Sequence, residues 1–316
     1  MSTPTPPTGV LLMAYGTPET LDDVEPYYTH IRGGRAPAPE ALADLRERYR
    51  RVGGRTPLLD LSRSVAAQLQ ARLEAESPGS YRVYLGMKHW HPFIAAAVGQ
   101  MAADGIREAV AVALAPHYSR YSLEGYRKYI NQALAQLPDA DLQVTFVESW
   151  HEEPGFRRLI ADRIRDARAQ LPPALRDDAL VLFSAHSLPE KIVAAGDPYP
   201  RELHESAAGI AELLGLRDWR FCYQSAGMTG EPWLGPDILD ALEALHAEGV
   251  RAVISAPFGF VAEHLEVLWD IDTEAQAKAH ELGVALQRIR MPNADPEFVD
   301  VVRAVVMRAV DEQRGP

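Results

Sequence analysis

Short runs rich in Val, Leu, Ile and Ala recur along the chain at residues 9–14, 82–86, 109–115, 143–148, 179–185, 219–223, 250–256 and 284–289. Most are continuous, not alternating, which is the pattern of strands buried on both faces of a parallel sheet. Between them lie amphipathic stretches at 38–50, 61–76, 92–104, 155–171, 203–214 and 237–248, which predict helices. Strands separated by helices imply βαβ crossovers and a doubly wound α/β architecture. The eight runs are roughly evenly spaced and divide after the fourth, near residues 150–154. The expectation is two similar domains, residues 1–150 and 151–316, each with a four-stranded parallel sheet, and a final helix able to pack across the boundary. No residue-by-residue repeat relates the halves, so the similarity is one of fold.

Composition narrows the class. The chain has 316 residues, of which 47% are hydrophobic and 24% charged, an ordinary globular balance. A net charge of −12 disfavours nucleic acid and anionic lipid, so an anionic ligand needs a local basic patch. The lone cysteine, Cys222, excludes an internal disulfide and any four-cysteine metal or iron–sulfur site built from this chain. No apolar run approaches the ~18 residues of a membrane span, and the start MSTPTPPTG lacks the charged and apolar parts of a signal peptide. A soluble, cytoplasmic protein is expected.

Ligands of open α/β sheets bind beyond the carboxyl ends of strands. The segments there are Ala14-Tyr15-Gly16-Thr17, Gly86-Met87-Lys88-His89, Ala115-Pro116-His117-Tyr118, Ser184-Ala185-His186-Ser187 and Ala256-Pro257-Phe258-Gly259. Four of the five carry a His or Tyr. No G-x-G-x-x-G follows the first strand, and there is no Walker A loop, H-E-x-x-H helix or G-x-S-x-G elbow.

Three features carry chemistry. His186, at a strand end in Phe183-Ser184-Ala185-His186-Ser187-Leu188-Pro189, reads either as a metal ligand or proton acceptor, or as a partly buried histidine bonded to nearby backbone. Glu266, Asp270 and Glu274 are spaced i, i+4, i+8, so on a helix they line one stripe beside His264. That stripe reads as a path for a hydrated divalent cation or as a solvated acidic face. Between Arg32 and Arg55, seven arginines (Arg32, Arg35, Arg46, Arg48, Arg50, Arg51, Arg55) face three acids (Glu40, Asp44, Glu47). With Tyr15, Tyr27, Tyr28 and Tyr49 flanking it, this run suits a flat, carboxylate-bearing ligand; the alternative is a solvated arginine-rich helix.

Taken together, Ala14-Tyr15-Gly16-Thr17-Pro18, Tyr27-Tyr28-Thr29-His30-Ile31-Arg32, Gly86-Met87-Lys88-His89, Leu114-Ala115-Pro116-His117, Ser184-Ala185-His186-Ser187-Leu188-Pro189, Gln224-Ser225 with Pro232-Trp233-Leu234-Gly235-Pro236, and Gly259-Phe260 with His264-Leu265-Glu266 resemble the ferrochelatases, in unbroken order from about residue 9 onward. A Tyr in the first strand-end loop is similar to the coproporphyrin III branch. The resemblance implies two Rossmann-like, chelatase-like domains with a porphyrin cleft between them, and a lyase reaction that inserts Fe2+ into coproporphyrin III with release of two protons, in heme biosynthesis. It implies that His186 and Glu266 face the pyrrole nitrogens and bind iron, and that Tyr15 is the axial ligand of the product iron. It assigns Asp270 and Glu274 to an outer metal relay, and Arg32, Arg48, Tyr49, Thr56 and Tyr126 to the macrocycle and its propionates. Thr56 stands where many relatives have Ser. No cofactor beyond the substrate Fe2+ and no iron–sulfur cluster is implied. The expected partners are the two substrates and the downstream coproheme decarboxylase, with no nucleic acid or stable membrane association, and the expected state is a monomer.

Other readings are a protoporphyrin IX ferrochelatase, a sister chelatase for cobalt or nickel, a non-catalytic porphyrin or heme carrier, and a nucleotide-binding protein. The carrier has no need of His186 and the carboxylate stripe. The nucleotide reading lacks its glycine fingerprint.

Overall fold

The computed structural model describes residues 6–227 and 230–315; the first five residues of the MSTPTPPTG start lie outside them. The chain forms two units. One comprises the chain up to Trp150 together with Asn293 onward, and the other is His151–Pro292.

The first unit is built on β1 (Thr8–Ala14), β2 (Tyr81–Met87), β3 (Glu108–Ala113) and β4 (Gln143–Val147), all parallel, in the order β2-β1-β3-β4. Its helices are α1 (Val24–Ile31), α2 (Pro39–Arg51), α3 (Leu58–Glu76), α4 (Ile94–Ala103) and α5 (Glu124–Ala135). Period-two alternation sends successive β1 residues to opposite faces. Leu11 and Met13 pack with Ile94, Val98 and Met101 of α4 and Ile130 of α5. Ala14 packs with Leu59 of α3. Central β1 is buried throughout, whereas edge strand β4 is half exposed, so only the inner strands have the two covered faces that the sequence suggested for most of them.

The second unit contains α6 (Pro154–Gln170), β5 (Leu180–His186), α7 (Lys191–Ala194), α8 (Tyr199–Leu214), β6 (Trp219–Gln224), α9 (Ile238–Ala247), β7 (Ala252–Ala256), a π-helix (Val267–Ala275) running into α10 (Gln276–Leu282), and β8 (Ala285–Arg288). Its parallel sheet, ordered β6-β5-β7-β8, repeats the topology of the first. Leu180 and Leu182 pack with Leu242 and Leu245 of α9 and with Ile271 and Ala275 of the π-helix.

The last helix, α11 (Pro296–Arg314), belongs to the first unit, so the second ends at Pro292 and not at residue 316. Its apolar stripe of Phe298, Val302, Val305 and Val306 is buried. Arg303 pairs with Glu76, and Asp300 with Arg72, both partners being on α3. Trp150 lies 6.4 Å from Phe298, ring to ring.

In each sheet the chain runs from the first strand outward to one side and then returns to the other, so the strand order reverses between β1 and β3 and between β5 and β7. Crevices open at such reversals, beyond the carboxyl ends of the strands. Tyr15 follows β1 directly and His186 ends β5. Among the described residues, no helix is long and apolar enough to cross a membrane.

Candidate active site

In the second unit the loop after β7 folds back over the end of β5. Gly259 permits this: a Cβ there would stand 2.5 Å from Ala185 Cβ, so no larger residue fits. The loop delivers Glu266 to His186, with Nε2 3.4 Å from Oε1. Glu266 also faces His264, whose Nε2 is 3.4 Å from Oε2 and whose Nδ1 lies 2.9 Å from the Ala262 carbonyl. His186 Nδ1 contacts the Ser187 carbonyl, and the Tyr199 hydroxyl donates to the His186 carbonyl at 3.0 Å. His186 and Glu266 keep about a third of their side-chain surface open, 31% and 35%, so both remain reachable.

Burial alone pulls the His186 pKa down, but the facing Glu266 carboxylate, the contact with Ser187 and the charge of Asp270 outweigh it and lift the value to about 9. Burial raises the Glu266 carboxyl, and His186 and His264 reverse that and hold it well below the usual range. At neutral pH the pair is an imidazolium facing a carboxylate.

The stretch after Glu266 is a π-helix over Val267–Ala275, not the α-helix on which the i, i+4, i+8 stripe was drawn. Its wider turn leaves carbonyls for side chains, and Thr273 Oγ1 donates to the Leu268 carbonyl five residues back, at 3.0 Å. The three carboxylates therefore differ. Glu266 meets His186, Asp270 is buried and accepts from Ser225, and Glu274 is half-buried farther along. Asp272, between them, takes the fork of Arg288 at 2.6 and 2.9 Å, and the same guanidinium reaches Glu263 at 3.2 Å.

The strand ends of the first unit hold a different set. Gly16, at φ 97°, turns the chain after Tyr15, where a Cβ would meet the Trp90 amide nitrogen at 2.9 Å. Tyr15 is 41% exposed and lies against the His89 ring, 4.6 Å between centroids. Lys88 Nζ donates to the Ser122 carbonyl at 3.0 Å and sits 5.6 Å from the Tyr15 ring and 5.1 Å from that of Tyr126. Burial lowers the Lys88 pKa to about 8. Burial, then the charges of Lys88 and His30, take His89 down to about 3. The Nδ1 atoms of His89 and His30 are 3.1 Å apart.

Residues 7–310 match the family described as Ferrochelatase. A ferrochelatase from Herpetosiphon aurantiacus is 56% identical over 95% of this chain and 98% of its own. The chain belongs to the ferrochelatase family. A protein named coproporphyrin III ferrochelatase from Anoxybacillus flavithermus is 48% identical over 95% of each chain. The sirohydrochlorin chelatase SirB from Bacillus subtilis subspecies spizizenii, solved with cobalt, shares the fold at a TM-score of 0.54, with 12% identity over 98% of this chain and 97% of that one.

Within this ferrochelatase-family chain, His186 and Glu266 are brought together, with Asp270 close enough to act on the imidazole by charge. Tyr126, Tyr49 and Thr56 are buried. Thr56 Oγ1 is 2.8 Å and the Tyr49 hydroxyl 3.3 Å from Thr17 Oγ1, so both brace the loop that carries Tyr15. Arg48 pairs with Asp44 at 3.0 Å, and exposed Arg32 lies 5.8 Å over the Tyr28 ring. The surplus of arginines is smaller than a count along the chain suggests. Arg46 meets Glu25 at 3.2 Å, Arg50 and Arg51 share Glu47, and Arg55 meets Asp60 at 2.9 Å. Lys88 and Gln224 were legible only as members of motifs, since nothing local shows that one is a buried cation and the other a buried amide. Among the described residues no group of three or more His, Cys, Asp or Glu side chains is arranged to hold a metal ion.

Proposed function

We propose that this enzyme is a coproporphyrin III ferrochelatase, inserting Fe2+ into coproporphyrin III to give coproheme and two protons. The observation that carries the reading is the half-open His186–Glu266 pair at the strand reversal of the second unit, with Asp270 beside it. Metalation must strip water from Fe2+ and remove two pyrrole protons, which requires a base and an anionic donor at one place. The resting pair holds one proton between an imidazole and a carboxylate. A divalent cation approaching it weakens the hold of the imidazole on that proton, so iron entry and proton departure are coupled there. Once neutral, His186 accepts a pyrrole proton or ligates iron, and Glu266 stabilises the imidazolium or takes the cation. Asp270 and Glu274 lead protons or iron along the π-helix.

Tyr15 serves as the axial ligand of the product iron, and a cation nearby favours its phenolate. Arg32 and Arg48, with Tyr49, Thr56 and Tyr126 behind them, hold propionates and ring. That relatives at 48% and 45% identity are named coproporphyrin III ferrochelatase supports coproporphyrin III, with its four propionates, over protoporphyrin IX, with two, as the substrate. The enzyme is a cytoplasmic monomer of the lyase class that needs no resident cofactor, and it passes coproheme to a decarboxylase.

The test is anaerobic incubation with Fe2+ and coproporphyrin III, followed by absorbance. Appearance of the metalated spectrum supports the reading. Tight porphyrin binding without metalation would instead make the protein a carrier.

A further inference from the structure

Ser184, His186, Gln224 and Glu266 meet at the carboxyl ends of β5 and β6. His186 and Gln224 are opposite one another in the ladder, and the Ser187 amide donates to the Gln224 carbonyl at 2.7 Å. The Ser184 and Gln224 side chains are fully buried. Ser184 Oγ donates to Gln224 Oε1 at 2.9 Å, and Gln224 Nε2 donates to the Glu266 main-chain carbonyl at 3.0 Å. The orientation of the amide is fixed by chemistry: a backbone carbonyl only accepts, so the NH2 must face Glu266 and the oxygen must face the serine. On the same face of these strands Leu182 and Cys222 are also fully buried, in an apolar layer where an aliphatic side chain would fill the space without needing partners.

We infer that Gln224 is a positioning residue of the reaction: gripped by Ser184 and bonded to the backbone of Glu266, it sets how far the Glu266 carboxylate stands from His186. The inference rests on the proposed roles of that pair. The backbone link matters because Glu266 begins a loop-to-π-helix junction, and the pair itself is spanned only by a loose 3.4 Å contact. Along the chain Glu266 is remote from His186, and Gln224 links the two, by its side chain to the Glu266 carbonyl and by the β5–β6 ladder to His186. It touches neither reacting atom, so its effect appears in the chemical step and not in porphyrin binding.

The experiment uses Gln224→Met, which keeps length and volume while removing both hydrogen bonds. The expected result is a fall in kcat of about tenfold, on the scale of sub-ångström misplacement, with KM for the porphyrin within twofold and a Tm lowered by a few degrees, because the buried Ser184 hydroxyl and Glu266 carbonyl lose a partner. Should Gln224→Met fail to fold, Ser184→Ala replaces it, leaving the amide in place but ungripped, with a kcat loss of about threefold expected. A kcat within a factor of 1.5 of the parent in a folded Gln224→Met, or in folded Ser184→Ala if that variant has to be used, overturns the inference, as does a loss confined to porphyrin KM. His186→Ala in the same assay separates the two levels. If it stays active, the role of the pair fails and the positioning role with it. If it is inactive while Gln224→Met is normal, only the positioning role fails.

Discussion

His89 and His186 each stand at the carboxyl end of a strand, in sheets of the same order, yet the structure drives them in opposite directions. His89 is buried beside Lys88 and His30, so nothing compensates the loss of hydration and its pKa falls to about 3. His186 is penalised by burial too, but the Glu266 carboxylate reverses the outcome and its pKa rises to about 9. The first unit therefore offers neutral rings and a weakened ammonium. The second offers a proton and an anion in contact. In one fold used twice the difference is a carboxylate: the loop after β7 brings Glu266 to His186, whereas His89, beyond edge strand β2, meets Lys88 and His30.

His186→Ala breaks this comparison most severely. Metal insertion should fall by more than about 100-fold, while coproporphyrin still binds, as fluorescence quenching will report. Turnover near the parental rate at saturating Fe2+ would remove His186 from the mechanism.

Glu266→Gln comes next. It should lose most activity, and because burial then acts on the imidazole against only the Ser187 contact and the Asp270 charge, the His186 midpoint should drop well below about 9 in an NMR titration. The sign carries into stability. In the parent, the His186 contribution is fully present below the unfolded-state value near 6.5 and is lost as pH rises through about 9, whereas that of Glu266, whose pKa is depressed, is lost as pH falls below the usual carboxylate range. His89 works the other way from His186: its contribution is present above 6.5 and is lost as pH falls toward about 3. A His186 midpoint that does not move in Glu266→Gln would mean that another group holds the proton.

Within the carboxylate series, Asp270→Asn and Glu274→Gln should each cost activity, but less than Glu266→Gln, with Asp270→Asn the larger because that group already acts on His186. Equal small losses in all three would return the stripe to a solvated face.

Substrate choice tests the first unit. Neutralising Arg32, which lies over the Tyr28 ring and makes no ion pair with a carboxylate among the described residues, should weaken the preference for coproporphyrin III over protoporphyrin IX by about tenfold, the low end of a charge-assisted contact. Arg48→Gln should do less, since Asp44 shares its guanidinium. Equal kcat/KM for the two porphyrins in the parent would contradict both.

The smallest effect on turnover is expected from Tyr15→Phe. Metalation should persist while the absorbance of bound coproheme, oxidised to the ferric form by admitted air, shifts and product leaves faster. An unchanged spectrum would show that the phenol oxygen is not the ligand.

The alternation of buried runs and amphipathic stretches was enough to locate all eight strands, because burial on a parallel sheet leaves a continuous apolar signature. It gave no bounds for α11, which was expected only as a final helix able to pack across the boundary. There Val299, Val301, Val302, Val305, Val306 and Val310 are β-branched, with weak helix preference, and packing against the first unit overrides that tendency. The short α1, with Pro26 inside it, gave no period either. The π-helix was legible as a helix but not as a wide one, since its turn is supported by Thr273, Ser225 and Arg288, and the last two come from other parts of the unit.

By itself the sequence determined the strand-end chemistry: Tyr15 after β1, Lys88-His89 after β2, His186 at the end of β5, and an acidic segment after β7. Tertiary structure decided what that chemistry does. Charge interactions depend on distance and burial, and neither can be read from spacing when the partners sit on separate elements. The arginine run looked strongly positive until Glu25 and Asp60, outside its span, folded against it. The histidines looked alike until one met a carboxylate and the other an ammonium.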